Sequence, residues 1–240
     1  MNIKHLIGFG LTAGLLSSAA YAQENVTTGF DPVIEDRSMT SMVGWTAGVS
    51  AATRFNTSDD FDHLENEVEG FVELTYGGFH TGLSATSLYQ DPTDDVEFEA
   101  NFGYGADFGQ GLSWDLTYGY IWLNDSKDHS EEITATLGFP IGRDASGAFA
   151  VIVDPDNGES DQEVAFEAPL SERWTAVGLI GNSDRDDNIY AEAGAVYDFG
   201  DGISFEALYE DTNDGDGVLG FTVSYEIGGY AVSGSIPIRT

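Results

Sequence analysis

Cysteine is absent from all 240 residues, so neither a disulfide framework nor thiolate chemistry is open to this chain. Basic residues are scarce: 8 Lys and Arg stand against 42 Asp and Glu, for a formal net charge of −34. Such a field repels nucleic acid and anionic membrane surfaces, which excludes both as partners. Long apolar runs are missing too. The run from Leu6 to Leu16 is broken by glycine and too short to cross a bilayer as a helix. A chain that stays in a membrane without such a helix must do so as a closed barrel, because open sheet edges cannot face lipid.

That short run has another use. It follows Lys4 and His5 and precedes Ala20-Tyr21-Ala22, a small-x-small cleavage site, so 1–22 reads as a secretory signal peptide. Beyond it, Lys127 is the one lysine. An exported chain without disulfides must draw its stability from a large sheet. The bland reading of the acid is a solvated surface suited to saline water.

What the sequence does contain is punctuation of two kinds. Long segments rich in Asp, Asn, Ser and Gly recur, as at 55–66, 124–131, 182–188 and 211–217. Between them fall tight turns such as Gly77-Gly78, Gly109-Gln110-Gly111, Gly200-Asp201-Gly202 and Gly228-Gly229. Stretches of roughly ten residues with alternating polarity join the two kinds, which is the layout of an outer-membrane β-barrel. In 94–108, Val96, Phe98, Ala100, Phe102, Tyr104, Ala106 and Phe108 alternate with Glu97, Glu99, Asn101, Gly103, Gly105 and Asp107. In 112–123, Leu112, Trp114, Leu116, Tyr118, Tyr120 and Trp122 alternate with Ser113, Asp115, Thr117 and Gly119. Period two sends one set outward and the other inward. Aromatics gather near strand ends, Trp45, Tyr76, Trp114, Trp122 and Trp174 among them, as headgroup girdles do.

These patterns predict an all-β fold, an antiparallel transmembrane β-barrel of twelve strands, after a cleaved signal peptide. The expected strands are 44–54, 66–76, 79–90, 94–108, 112–123, 131–139, 147–154, 162–168, 173–181, 188–199, 203–211 and 217–227. The seventh and ninth have two candidate outer faces, since Phe149/Val151/Val153 and Ala148/Ala150/Ile152 would serve equally well. The expected organisation is signal peptide 1–22, N-terminal periplasmic segment 23–43, barrel 44–227, and a C-terminal tail or extra strand 228–240. An even count is already complete at Ile227, so that last piece is expected to be dispensable.

The chain resembles the TorF-type porin family of proteobacterial outer membranes. The likeness lies in Gly48-Val49-Ser50-Ala51-Ala52-Thr53-Arg54-Phe55 before an acidic loop, and in Tyr76-Gly77-Gly78-Phe79-His80-Thr81-Gly82-Leu83. It continues through Gly111 to Tyr120 and in the closing stretch Gly217 to Ile227. Members of that family finish on an aromatic residue, whereas here Tyr225-Glu226-Ile227 is followed by further chain. The resemblance implies a pore in the outer membrane of a Gram-negative bacterium, surrounded by outer-membrane lipid, and no particular substrate.

Catalytic motifs are lacking: no nucleophile elbow, His-Glu metal motif or phosphate-binding loop is present, so no enzymatic activity is expected. His63 and His129 lie in acidic segments, and His80 sits beside a turn. Asp154, Asp156, Ser160 and Asp161 alternate oxygen ligands in the way hard divalent cations need, and Asp211, Asn213, Asp214 and Asp216 form a similar cluster. No resident cofactor is expected, and at most loosely bound calcium or magnesium. The functional expectation is passive diffusion of small solutes, with cations favoured by an acidic lumen. The pore-lining candidates are Arg54, Glu69, Glu73, Glu97, Glu99, Asp115, Glu192 and Glu206, with Gly82, Gly103, Gly119 and Gly194 leaving room beside them. The alternative is a secreted or surface β-protein whose acidic loops bind a cation or partner without any open pore.

Overall fold

The computed structural model describes residues 42–232, apart from 58–60, 90, 186, 214 and 216. The expected signal peptide and most of the expected periplasmic segment lie outside the described residues. Twelve antiparallel strands follow one another around a closed barrel, each paired with its sequence neighbours and the last with the first. They are β1 (Met42–Asn56), β2 (His63–Tyr76), β3 (Phe79–Ser87), β4 (Val96–Gly109), β5 (Leu112–Leu123) and β6 (His129–Ile141). The second half comprises β7 (Ala145–Val153), β8 (Ser160–Pro169), β9 (Trp174–Ser183), β10 (Asn188–Gly200), β11 (Ile203–Thr212) and β12 (Val218–Val232).

Short and longer connections alternate as far as β8, from two residues at 77–78 and 110–111 to eight at 88–95, and the β8–β9 and β9–β10 connections have four residues each. Three of the tight ones are two-residue turns: Gly77 and Gly78 have φ of 56° and 92°, Gln110 and Gly111 have 60° and 78°, and Asp201 and Gly202 have 55° and 79°. Positive φ at both central residues defines the turn whose twist matches the flanking strands. The phrase Asp-Phe-Gly-x-Gly builds two of these corners. Asp107 and Asp198 accept hydrogen bonds from the N–H of Gly109 (2.5 Å) and Gly200 (2.6 Å), where the ladder shifts register by one residue. The bulge turns the corner, and the carboxylate satisfies the N–H that the bulge leaves without a ladder partner.

The outer face carries a broad apolar band. Val68, Leu83, Phe102, Val164, Ile180 and Val223 are between 48% and 62% exposed. Large side chains in such a band demand an apolar surrounding. Ring contacts mark both of its borders. Phe79 meets Tyr104 at 4.7 Å, and Trp174 meets Tyr197 at 4.8 Å, at the tight-turn end. Phe98 stacks on Trp122 at 5.5 Å and Phe55 on Phe61 at 5.3 Å at the long-loop end.

In β7 the choice between faces falls to Phe149, 40% exposed, as the outer residue, while Ala150 and Ile152 are each 1% exposed inside. In β9, Ile180 faces out and Val177 and Leu179 face in. These strands place apolar residues on both faces, which is why alternation could not choose.

The expected end of the barrel at Ile227 is corrected. Gly228-Gly229 is not a turn: β12 continues to Val232, pairing Gly228 with Thr46, Gly229 with Trp45 and Val232 with Met42. Absence of side chains lets the Trp45 indole lie flat, its Nε1 only 3.4 Å from where a Cβ on Gly229 would sit. Tyr230 thus falls within the closing strand. Truncation after Ile227 removes the partners of 42–46 and exposes an edge, so the heat-modifiable compact band in detergent electrophoresis should be lost. Truncation after Val232 should retain it.

Sidedness gives a second expectation. Leu116→Arg, on a side chain 49% exposed on the outer band, should cost about 2–4 kcal/mol near mid-bilayer in urea unfolding from lipid vesicles. Ser84→Arg, on the inner face opposite Glu99, should cost far less.

Candidate functional site

Because side chains alternate, the inner wall is set by register. Ser50, Ala52 and Arg54 of β1 line it beside Glu65, Glu67, Glu69, Phe71 and Glu73 of β2. Glu97 and Glu99 of β4, Asp115 of β5, Glu192 of β10 and Glu206 of β11 share that inner face. All eight sequence-derived lining candidates therefore project inward. Between β1, β2 and β8–β12 lies a cavity of about 150 Å³, lined by Arg54, Glu69, Glu192, Glu206 and Glu226 among others.

Among the described residues, two arginines reach into this wall. Arg54 contacts Glu65 at 2.5 Å and Glu67 at 3.7 Å, both on the adjacent strand. Arg185 was not legible in the sequence, where it belongs to an acidic loop. In the structure it turns inward from the β9–β10 connection, with its side chain only 9% exposed. It contacts Glu132 of β6 at 2.6 Å and Asp161 of β8 at 3.1 Å. Glu132, Glu163 and Glu210 are inner carboxylates that sequence reasoning passed over, and Asp161, expected in a cation cluster, also faces inward. Alternation with Thr134 and Thr136 would have found Glu132. Burial opposes the Arg185 charge, but Glu132, Asp161 and Asp154 more than offset this and raise its pKa above the usual arginine value.

The inner glycines do not leave open room. A Cβ on Gly82 would meet Asn101 at 2.9 Å, and one on Gly119 would sit 3.3 Å from Glu99. One on Gly103 would overlap His80 and Thr117, and one on Gly194 would meet Ala207 and Leu208. Each glycine lies under a neighbour's side chain, so the space is already used by cross-strand contacts. In the same way Phe71 covers Gly48, and Tyr190 covers Gly181 while donating its hydroxyl proton to Glu163.

His80 gains partners that the sequence could not place. Its Nε2 lies 2.9 Å from Thr117 Oγ1 and its Nδ1 3.5 Å from Asp115. The Thr117 hydroxyl donates to Asp115 at 2.6 Å. With that proton committed, Nε2–H of His80 donates to Thr117, so the imidazole orients the hydroxyl and does not deprotonate it.

Asp154, Asp156, Ser160 and Asp161 are not brought into one coordination sphere. Asp154 caps its own turn, accepting from the N–H of Asp156 (2.8 Å) and Asn157 (3.1 Å). Burial raises its pKa, but these donors, the Asn157 side chain and Arg185 outweigh that and hold it below the ordinary carboxylate range. Ser160 donates to Asp184 at 3.0 Å, and Asp161 holds Arg185. Among the described residues, no group of three His, Cys, Asp or Glu is arranged to hold a metal. The second cluster includes Asp214 and Asp216, which lie outside the described residues, and Asn213 caps the N–H of Ile189 at 3.0 Å.

Other loop carboxylates stitch the rim in the same manner. Asp94 accepts from the N–H groups of Asp125 and Ser126, both at 2.8 Å, tying the β3–β4 and β5–β6 loops together. Those donors overcome the upward effect of burial and lower the Asp94 pKa.

Among solved structures, the chain is similar to the KdgM porin, with 9% identity over 74% of this chain and 98% of that one and a TM-score of 0.61. The KdgM porin in complex with disordered oligogalacturonate gives 8% identity, 75% and 98% coverage and a TM-score of 0.60. The NanC porin gives 9% identity, 75% and 100% coverage and a TM-score of 0.54. No protein-family model matches the sequence, and no curated protein matches it either. The fold is thus that of the porin-type transmembrane β-barrels.

The Arg185 bridge makes its own expectation. Arg185→Gln leaves Glu132 and Asp161 buried without their cation, which should cost about 3–5 kcal/mol in urea unfolding from vesicles. Arg143→Gln should change little, since Arg143 is 94% exposed beside Asp144.

Proposed function

We propose that the chain is an outer-membrane channel for passive diffusion of small solutes, with cations preferred. The supporting observation is the inward rank of carboxylates on β2, β4, β10 and β11, against which Arg54 and Arg185 are the arginines reaching the described lumen. Confined carboxylates raise the local cation concentration and repel anions. Oligogalacturonate, held by the KdgM neighbour, is a polycarboxylate that this wall would repel. The proposed solutes are accordingly of the opposite charge. Residence in the outer membrane of a Gram-negative bacterium, with lipid against the apolar band, and membership of the TorF-type porin family belong to the same proposal.

Glu97 and Glu99 offer the sharpest test. Two positions apart on β4, they stand roughly 6–7 Å from each other along the strand, within the Debye length of about 8 Å at physiological salt. Replacing both with Gln keeps their volume and removes two charges. In planar bilayers under a salt gradient, the cation-to-anion permeability ratio should fall severalfold at low salt, and the difference should shrink as salt rises. Equal ratios for parent and double variant would place the conducting path elsewhere. A folded parent without conductance would overturn the channel reading in favour of a plugged barrel.

A further inference from the structure

The lumenal cavity has two walls of opposite character. On β10, Glu192 pairs across to Leu179 of β9 and Glu210 of β11, and the next inward position, Gly194, lies between Val177 and Leu208. Val177, Leu179 and Leu208 are 4%, 2% and 5% exposed, an apolar strip beside the inner carboxylates of β10 and β11. Phe71 of β2 lines the same cavity. Glu192 is itself only 5% exposed, and its Oε2 has no hydrogen-bond partner among the described residues. A buried carboxylate oxygen left in this way forgoes hydration without compensation.

We propose that this cavity is a binding site for a small primary alkylammonium ion, whose charged head is taken by Glu192 and whose carbon chain lies against Val177, Leu179, Leu208 and Phe71. The inference rests on the channel reading only in naming what passes through. The site itself needs nothing but a folded barrel.

Charge and wall chemistry select this class. An anion meets Glu69, Glu192, Glu206 and Glu226 and is repelled. A hard divalent cation needs six or more oxygen ligands around it, and one side of the cavity is hydrocarbon. A neutral sugar carries hydroxyls all round, which the apolar strip would leave unpaired. An alkylammonium has three donors at one end for carboxylates and an apolar body for the strip. Arg54 also lines the cavity, where it contacts Glu65 and Glu67 and is one cation against Glu67, Glu69, Glu192, Glu206 and Glu226. The cavity, about 150 Å³, holds several water-sized volumes of roughly 10–15 Å³ each, which suits a chain of a few carbons.

The test is calorimetric titration of the folded barrel in a zwitterionic detergent with methyl-, ethyl- and n-butylammonium chloride, with butan-1-ol and sodium chloride as controls. Saturable binding should tighten at each step of chain length, and both controls should fail to saturate. In Glu192→Gln, butylammonium affinity should fall at least tenfold. In Val177→Thr, which keeps the shape and adds a hydroxyl, the gain from methyl to butyl should shrink. If Glu192→Gln does not give the heat-modifiable folded form, the chain-length series on the parent and Val177→Thr decides. No saturable binding, equal binding of all the ammonium ions and sodium, or an unaffected Glu192→Gln would overturn the proposal. Conductance is measured separately in bilayers: a non-conducting protein that binds butylammonium loses the channel reading and keeps this site, and a conducting protein that does not bind loses only this site.

Discussion

Every strand N–H and C=O needs a partner, and in lipid no water supplies one. The antiparallel pairing of β1 with β12, from Met42↔Val232 to Asn56↔Val218, gives partners to the two strands that would otherwise be edges. Once the ladder is closed, each side chain has two destinations only, and a slip of one residue would exchange all of them. Carboxylates inside and hydrocarbon outside are therefore one fact. The charge of −34 that excluded nucleic acid is tolerable in a membrane because so much of it points into the lumen or the loop rim.

The inner wall shows how such a charge is accommodated. Arg54 and Arg185 each span two carboxylates, and Tyr190 donates to Glu163. Outside the strands, Asp91, Asp94 and Asp154 accept backbone N–H groups, so acid that reads as ion-binding loop is turn chemistry instead. The many glycines complete the arrangement. They provide beds for rings and polar groups on the adjacent strand, as Gly48 does for Phe71 and Gly103 for His80. That is why the chain is written in short glycine-aromatic phrases.

Most of the fold was legible because period-two alternation and turn chemistry are local properties. The twelve strands, the alternation of loop length as far as β8 and the inward placement of Glu69, Glu97, Glu192 and Arg54 all follow from them. What was not legible depended on the third dimension. Gly228-Gly229 has the composition of a turn, and only the presence of Trp45 on the facing strand makes it a bed for an indole. Arg185 lies in a loop whose composition says solvent, and its inward path is set by carboxylates on β6 and β8, far away in sequence. The apolar inner strip on β7 and β9 erased the alternation that would have oriented those strands.

Register turns the tryptophans to lipid and the acid of the strands to the lumen. All four tryptophans, Trp45, Trp114, Trp122 and Trp174, lie on the outer face near the strand ends. Their fluorescence in vesicles containing lipids brominated at graded depths measures that placement directly. Strong quenching by bromines close to the headgroups, weak quenching by bromines at the chain ends, and little quenching by aqueous iodide are expected. Emission that aqueous iodide quenches and brominated lipid leaves untouched would contradict the assignment of faces, and with it the membrane-spanning barrel.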